Sequence, residues 1–159
     1  MRLTLHSDYA LRVLMYLGLR GQELASIQDI ATAYGISGNH LTKVVQRLAR
    51  GGFVETLRGR GGGLRLARPP EQIGVGAAIR CTEEDMALVT CFGAHHACAI
   101  AGPCRLPVLL DEALAAFLAV LDRATLADLI APGRGEMARR LGLPDGAAVE
   151  PQRLSTPRK

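Results

Sequence analysis

Residues 27–45 carry the spacing of small and apolar residues that most narrowly limits the fold of this chain. Ala31 is small where two helices would cross, and Gly35 follows four residues later, where a tight turn needs a residue free to take positive φ. The positions that such a pair of helices would bury are apolar: Ile36, Leu41 and Val44. The pattern predicts a helix-turn-helix, with Ser26 capping its first helix and Ser37 its second.

The second helix of this pair is amphipathic. Its apolar face repeats at i, i+3, i+4 and i+7 through Leu41, Val44, Val45 and Leu48. The opposite face carries residue types that hydrogen-bond to base edges and phosphates. The residues predicted to contact bases are Ser37, Asn39 and His40, and those predicted to grip phosphates are Lys43 and Arg47.

Two short segments of alternating apolar and polar residues follow, at positions 53–57 and 64–68. Between them lies a glycine-rich tip that carries Arg58 and Arg60, whose side chains would reach phosphates or enter a narrow minor groove. A helix-turn-helix followed by such a hairpin is a winged helix. We therefore predict a mainly α fold with a small β-hairpin wing, in which residues 1–70 bind double-stranded DNA.

Charge is distributed unevenly along the chain. Residues 1–70 carry a net charge of +6, residues 71–130 carry −5 and residues 131–159 carry +3. A basic N-terminal part favours a polyanionic partner, although solvated surface charge would give the same count. A small helical protein with a solvated basic face would not explain the wing or the polar helix face.

Three cysteines, Cys91, Cys98 and Cys104, lie within fourteen residues rich in Gly, Ala and Pro. Such a cluster has little use in packing and indicates soft-metal ligation or redox chemistry. The gaps of six and five residues are wider than those of a zinc ribbon. They suit a loop around a larger object such as an iron–sulfur cluster, and the alternative is free thiols with an occasional disulfide.

Three thiolates leave one position of a cluster to be filled by another residue. His95 and His96 lie inside the loop, where exposed positions are the simpler interpretation. Cys81 lies ten residues before it on an apolar helix, which favours a buried structural thiol. Asp8 lies near the start of the first helix. By ligand chemistry alone, cysteine and histidine would be the preferred residue types for this fourth ligand.

Residues 105–122 predict a long helix that is apolar on more than one face. Its seam consists of Leu106, Leu110, Ala113, Leu114, Phe117 and Leu121, widened by Leu109, Ala116 and Val120. One face would pack on its own domain and the other on a second subunit. Residues 71–130 are thus predicted to hold the cluster loop and dimerisation helices of a homodimer, which would bind a palindromic operator.

The final stretch of the chain shows no periodicity. From residue 131 onward Gly, Pro, Arg and Ala dominate, and we expect a poorly ordered tail over residues 131–159. The most apolar run, residues 106–121, carries Asp111 and Glu112 and is too short to span a bilayer. Because Arg2 and Asp8 interrupt the first apolar residues, no secretory signal is expected. We predict a cytoplasmic protein without membrane contact.

The chain resembles the NsrR/IscR family of iron–sulfur transcription regulators over residues 1 to about 130. The resemblance rests on the opening LHSDYALR at residues 5–12, the winged helix, the RGRGGG tip at residues 58–63 and the three late cysteines. IscR-type members carry a histidine ligand three residues after the last cysteine, where this chain has Pro107. The chain is therefore more similar to the nitric-oxide-sensing members.

That resemblance implies a [4Fe-4S] cluster, with [2Fe-2S] as the alternative, held by Cys91, Cys98 and Cys104. It also implies that Asp8 of the partner subunit is the fourth ligand. The intact cluster would link the two subunits and hold the DNA-binding heads at the operator spacing. Nitric oxide would attack the iron, displace Asp8 and release the DNA, because a carboxylate is a weaker ligand than thiolate.

Three rival functions remain open at the level of sequence. A regulator of the same fold could respond to iron, cluster supply or oxidation, and a zinc- or thiol-based regulator would share the DNA-binding half. An iron–sulfur enzyme or electron carrier would need a further catalytic motif. The chain contains no nucleophile–base arrangement, and no Gly-Lys-Ser or Gly-Lys-Thr follows the wing glycines, so we predict that it is not an enzyme.

Overall fold

The computed structural model of the chain describes residues 2–89, 92 and 98–144, and within them the fold is mainly helical with one antiparallel hairpin. The helices are α1 (Leu5–Arg20), α2 (Ile27–Tyr34), α3 (Gly38–Arg50), α4 (Val75–Thr82), α5 (Leu106–Asp122), α6 (Leu126–Ile130) and α7 (Arg134–Arg140). The strands are β1 (Val54–Leu57) and β2 (Gly63–Leu66). Short 3-10 turns cover Pro70–Gln72 and Ala131–Gly133. The predicted fold class, a winged helix-turn-helix followed by a long helix, is confirmed.

Side-chain capping and a left-handed glycine explain the two ends of α2. Ser26 and Asp29 form a capping box at the start of α2, in which each side chain binds the other residue's backbone N–H at 3.0 and 2.8 Å. Hydrogen bonds from Ser26 hold the pKa of the Asp29 carboxyl below its usual value. Gly35 ends α2 at φ 64°, in the left-handed region where a glycine carries no Cβ penalty.

The core lies between α1 and the helix-turn-helix pair. Its largest side chains that are fully buried include Leu14 and Leu17 from α1, Ile30 from α2, and Leu41 and Leu48 from α3. Burying aliphatic side chains of this size stabilises a fold by about 1.5–3 kcal/mol each. The four residues predicted for the apolar face of α3 are all buried, which confirms the periodicity argument.

The wing is attached directly to this core. β1 and β2 pair antiparallel, with Val54 opposite Leu66 and Leu57 opposite Gly63. Leu64 of β2 also exchanges backbone hydrogen bonds with Ala25, just before α2, at 2.7 and 3.0 Å. The hairpin therefore keeps a defined position beside the helix-turn-helix.

Helix α4 connects the DNA-binding head to the rest of the chain. It packs against α1, α3 and α5. A bidentate ion pair between Arg80 and Asp122, with both N–O distances at 2.6 Å, joins α4 to the end of α5. Helix α4 therefore lies between α3 and α5 and contacts both.

The tail expected from residue 131 is instead ordered structure as far as residue 144. Ala138 and Leu143 are buried against the core, and Arg134 donates to the carbonyl of Leu19 at 2.9 Å, near the C-terminal end of α1. Those contacts, rather than a periodic pattern, hold α7 in place. Residues 145–159, the remainder of the expected tail, lie outside the described residues.

In the described part of the chain, none of the helices has both the length and the apolar character needed to cross a membrane.

Candidate functional site

The exposed side of α3 presents most of the residues predicted to contact DNA. Ser37, Asn39, His40 and Lys43 are all exposed. Ser37 precedes α3 as predicted, but its side chain does not form the expected capping bond. The His40 ring stacks on Tyr9 of α1, with ring centroids 6.4 Å apart and planes inclined by 23°. The N-terminal end of α3 is therefore positioned by α1 while its polar side chains stay accessible.

Arg47 occupies a different environment from its neighbours on α3. Its guanidinium donates to the carbonyl of Thr82 at 3.1 Å and forms an ion pair with Glu84 at 3.3 Å. Only 33% of the side chain is exposed, so the arginine is engaged within the chain rather than extended into solvent. Lys43, one turn earlier on α3, is exposed, whereas Arg47 contacts Thr82 at the end of α4 and Glu84 after it.

The wing tip carries two exposed arginines. Arg58 and Arg60 alternate with Gly59 and Gly61, which take φ values of 103° and 86° and turn the chain between the strands. The ion pairs of the described residues include neither arginine. Arg65, further along the hairpin, is neutralised by Glu55 across the strands at 2.8 Å. The tip thus offers two cations to an anionic partner.

Two of the three clustered cysteines fall within the described residues. Cys98 is exposed and Cys104 is half-buried, and both are free thiols. The turn between them contains Gly102 at φ 95°, and Cys104 lies two residues before the start of α5. Cys91, His95 and His96 lie outside the described residues.

The donor set fits an iron–sulfur cluster. Two unpaired thiols, one exposed and one half-buried, stand on an irregular turn, and thiolates are the ligands that cluster iron prefers. Among the described residues alone, no three His, Cys, Asp or Glu side chains gather into a metal site. A complete ligand set would therefore require Cys91 and a further residue.

Cys81 is not part of this set. It is half-buried against the hydrophobic core, and its thiol donates to the carbonyl of Arg47 at 3.7 Å. This environment is that of a structural thiol, as its apolar helix suggested.

Asp8 lies in the first turn of α1 with 45% of its side chain exposed. Arg12, one turn later, holds both carboxylate oxygens at 3.0 and 3.1 Å. The same guanidinium lies over the ring of Tyr34, 5.7 Å from its centroid. Burial raises the pKa of the Tyr34 phenol to about 12, so this ring stays neutral. The Asp8 carboxylate is oriented by its neighbours and still open to a further ligand.

A group of polar residues beside α1 was not predicted from the sequence. Ser7 and Thr82 are buried with their hydroxyl oxygens 2.8 Å apart. Glu83 accepts hydrogen bonds from the Thr4 backbone N–H at 2.9 Å, from the Thr4 hydroxyl at 3.1 Å and from the Ser7 hydroxyl. Ser7 stands three residues before Ala10 on the buried stripe of α1, and a polar residue in such a stripe indicates a hydrogen-bonded partner.

Comparison with known proteins places this architecture in a family. The family model described as Rrf2, iron-dependent transcriptional regulator, matches residues 3–132. The chain is 52% identical over 132 residues to the HTH-type transcriptional regulator NsrR of Geobacillus kaustophilus, covering 82% of this chain and 90% of that protein.

Solved structures with a similar fold also include regulators. The structure of CymR, the global cysteine regulator of B. subtilis, matches with a TM-score of 0.67 and 27% identity, covering 83% of this chain and 98% of CymR. T. potens IscR matches with a TM-score of 0.67 and 25% identity, covering 84% and 88% of the two chains. These relatives are regulators rather than enzymes, as predicted. The chain belongs to the Rrf2 family of transcriptional regulators.

Proposed function

We propose that this chain is a homodimeric, cytoplasmic repressor that binds a palindromic operator while a [4Fe-4S] cluster is intact and releases it in response to nitric oxide. The observation that carries the proposal is the pair of free thiols, Cys98 and Cys104, on the turn that leads directly into α5 of an Rrf2-family regulator. The family model's description as iron-dependent supports iron as the metal. Pro107, in place of an IscR-type histidine, favours nitric oxide over cluster supply as the signal.

The DNA contacts follow from the exposed polar groups. Ser37, Asn39 and His40 at the N-terminal end of α3 would face base edges in the major groove. Lys43 would hold a phosphate. The wing arginines, Arg58 and Arg60, would bind phosphates beside the adjacent minor groove.

Helix α5 supports the homodimer. None of its residues is buried in the single chain, although it is strongly apolar. Leu106, Val108, Leu109 and Val120 are 49–62% exposed. An exposed apolar face of this length is typical of a subunit interface, and a second copy of α5 would cover it.

The cluster would be held by Cys91, Cys98 and Cys104 of one subunit and by Asp8 of the partner subunit. When bound, it supplies iron that reacts with nitric oxide. Asp8 would then fix the first turn of α1, and the adjacent Tyr9 would carry that constraint to His40 at the base-reading end of α3. Loss of the Asp8 ligand would free this turn and lower the affinity for the operator.

The test is to titrate nitric oxide into the operator complex of protein purified without oxygen and to follow the operator by fluorescence anisotropy. We expect the complex to dissociate as the cluster absorption changes. A complex that survives nitric oxide but dissociates on iron chelation or on exposure to oxygen would replace the proposed signal with iron or redox status.

Substituting Asp8 tests the connection between subunits. In Asp8→Ala the cluster-loaded protein should lose about 5–150-fold in operator affinity, the usual range of a coupling between two sites. Glu23→Ala is the matched control, because Glu23 is also an exposed acid that pairs with an arginine of α1, at 3.4 Å. If Asp8→Ala kept the same cluster and the same nitric oxide response, the connection through Asp8 would be excluded.

A further inference from the structure

The end of α4 and the residues after it contact both helices that the proposed mechanism must move. Thr82 is the last residue of α4, and Glu83 and Glu84 begin the segment that runs to the cysteine loop. We call residues 82–84 the junction. Its contacts with α3 and α1 are made by different groups, so each can be tested separately.

The contact with α3 runs through Arg47. The carbonyl of Thr82 is left without a helical partner at the C-terminal end of α4, and the Arg47 guanidinium binds it at 3.1 Å. Glu84 adds an ion pair to the same guanidinium at 3.3 Å. Cys81, the residue just before the junction, donates to the Arg47 carbonyl. The last turn of α3, the candidate recognition helix, is thus held by the junction through the Arg47 side chain, and by Cys81 through the Arg47 carbonyl.

The contact with α1 runs through Glu83. Its carboxylate binds the backbone and hydroxyl of Thr4, which caps α1, and the hydroxyl of Ser7. Partial burial raises the pKa of the Glu83 carboxyl, but the hydrogen bonds from Ser7 and Thr4 outweigh it, so the pKa lies below its usual value. Glu83 is therefore charged at neutral pH. It holds the turn of α1 that contains Asp8, the residue after Ser7.

We propose that the junction transmits the state of the cysteine loop to the recognition helix, and that Arg47 is a positioning residue rather than a phosphate contact. The inference rests on the proposed function, since it needs a cluster that controls DNA binding. A displacement of the segment after Glu84 would pull on the Thr82 carbonyl and so on the end of α3. Because Glu83 of the same junction holds the start of α1, the displacement would also reach α1.

The experiment compares Arg47→Gln with Lys43→Gln, one turn earlier on the same helix. Lys43 is exposed and serves as the phosphate-contact control. Operator affinity is measured across a series of salt concentrations for the cluster-loaded protein and for the same protein after cluster removal. Lys43→Gln should weaken both forms alike and reduce the salt slope by about 1.

Arg47→Gln should instead reduce the ratio of loaded to cluster-free affinity by about fivefold or more, and should leave the salt slope of the cluster-free form unchanged. Glu83→Gln should also reduce the ratio of loaded to cluster-free affinity, although Glu83 is not part of α3. This second variant tests the proposal even if Arg47→Gln does not fold. Circular dichroism and thermal unfolding establish that each variant is folded.

The outcomes separate the two proposals. If the wild-type protein responds to the cluster but Arg47→Gln behaves as Lys43→Gln does, the role of the junction is overturned and the proposed function stands. If the wild-type protein binds its operator equally with and without the cluster, both are overturned.

Discussion

Cys104→Ser should lose the cluster and, with it, specific binding to the operator. Cys104 stands two residues before α5 and is one of the three thiolates in the proposed ligand set. A serine oxygen is a hard donor and a poor replacement for thiolate on cluster iron. Affinity should fall to that for unrelated DNA, a loss of about 10³-fold or more. Iron and sulfide analysis together with anisotropy of a labelled operator measures both effects.

Cys81→Ser is the matched control for this substitution. It removes a thiol of the same chain that is half-buried against the hydrophobic core and stands outside the cysteine loop. Iron content and operator affinity should both be retained. If Cys104→Ser kept its full iron content and wild-type operator affinity, the cysteine loop would have no role in the mechanism.

The second large effect is expected from Leu109→Arg, which should convert the dimer into monomers. Leu109 is 62% exposed in the single chain, so the substitution leaves the fold of one subunit intact. In the dimer the arginine would bury a charge in an apolar interface, which costs several kcal/mol. A monomer contacts one half-site only, and its affinity should fall by more than about 10²-fold because the second half-site no longer contributes. Analytical ultracentrifugation would report a mass near the 16.9 kDa of one chain.

Asp111→Arg is the control for the interface. Asp111 is exposed on the same helix but lies about 200° around it from Leu109. The same side chain introduced there should leave the dimer intact. A Leu109→Arg protein that remains dimeric with unchanged operator affinity would show that another surface joins the subunits.

The DNA-binding half could be predicted from sequence because its signals are local. Ala31 and Gly35 predict the crossing and the turn of the helix-turn-helix by their size and backbone freedom; in the structure Ala31 is buried and Gly35 takes a positive φ at the turn. The i, i+3, i+4 and i+7 repeat on α3 depends only on helical geometry, so the buried face was also predictable.

The remaining features depend on contacts between distant parts of the chain. Arg134, at the start of α7, donates to the carbonyl of Leu19, 115 residues earlier. No local sequence pattern predicts such a hydrogen bond. Arg47 has the spacing of a DNA contact, yet Thr82, 35 residues later, supplies its partner. Part of this could have been anticipated, since Ser7 interrupts an apolar stripe and therefore needs a buried polar partner.

The candidate cluster site was identified by composition and spacing. The free thiols of Cys98 and Cys104 agree with that interpretation, because neither is paired and neither is packed in the core. The assignment of Asp8 came from the resemblance to the family and stays a prediction. Its open carboxylate in the first turn of α1 makes the assignment chemically possible.

Native mass spectrometry of protein purified without oxygen tests the central claim most directly. The account predicts a dimer that carries two [4Fe-4S] clusters, one for each set of three cysteines. A dimer that carries [2Fe-2S], zinc or no metal would contradict the nitric-oxide-sensing mechanism while leaving the helix-turn-helix regulator in place.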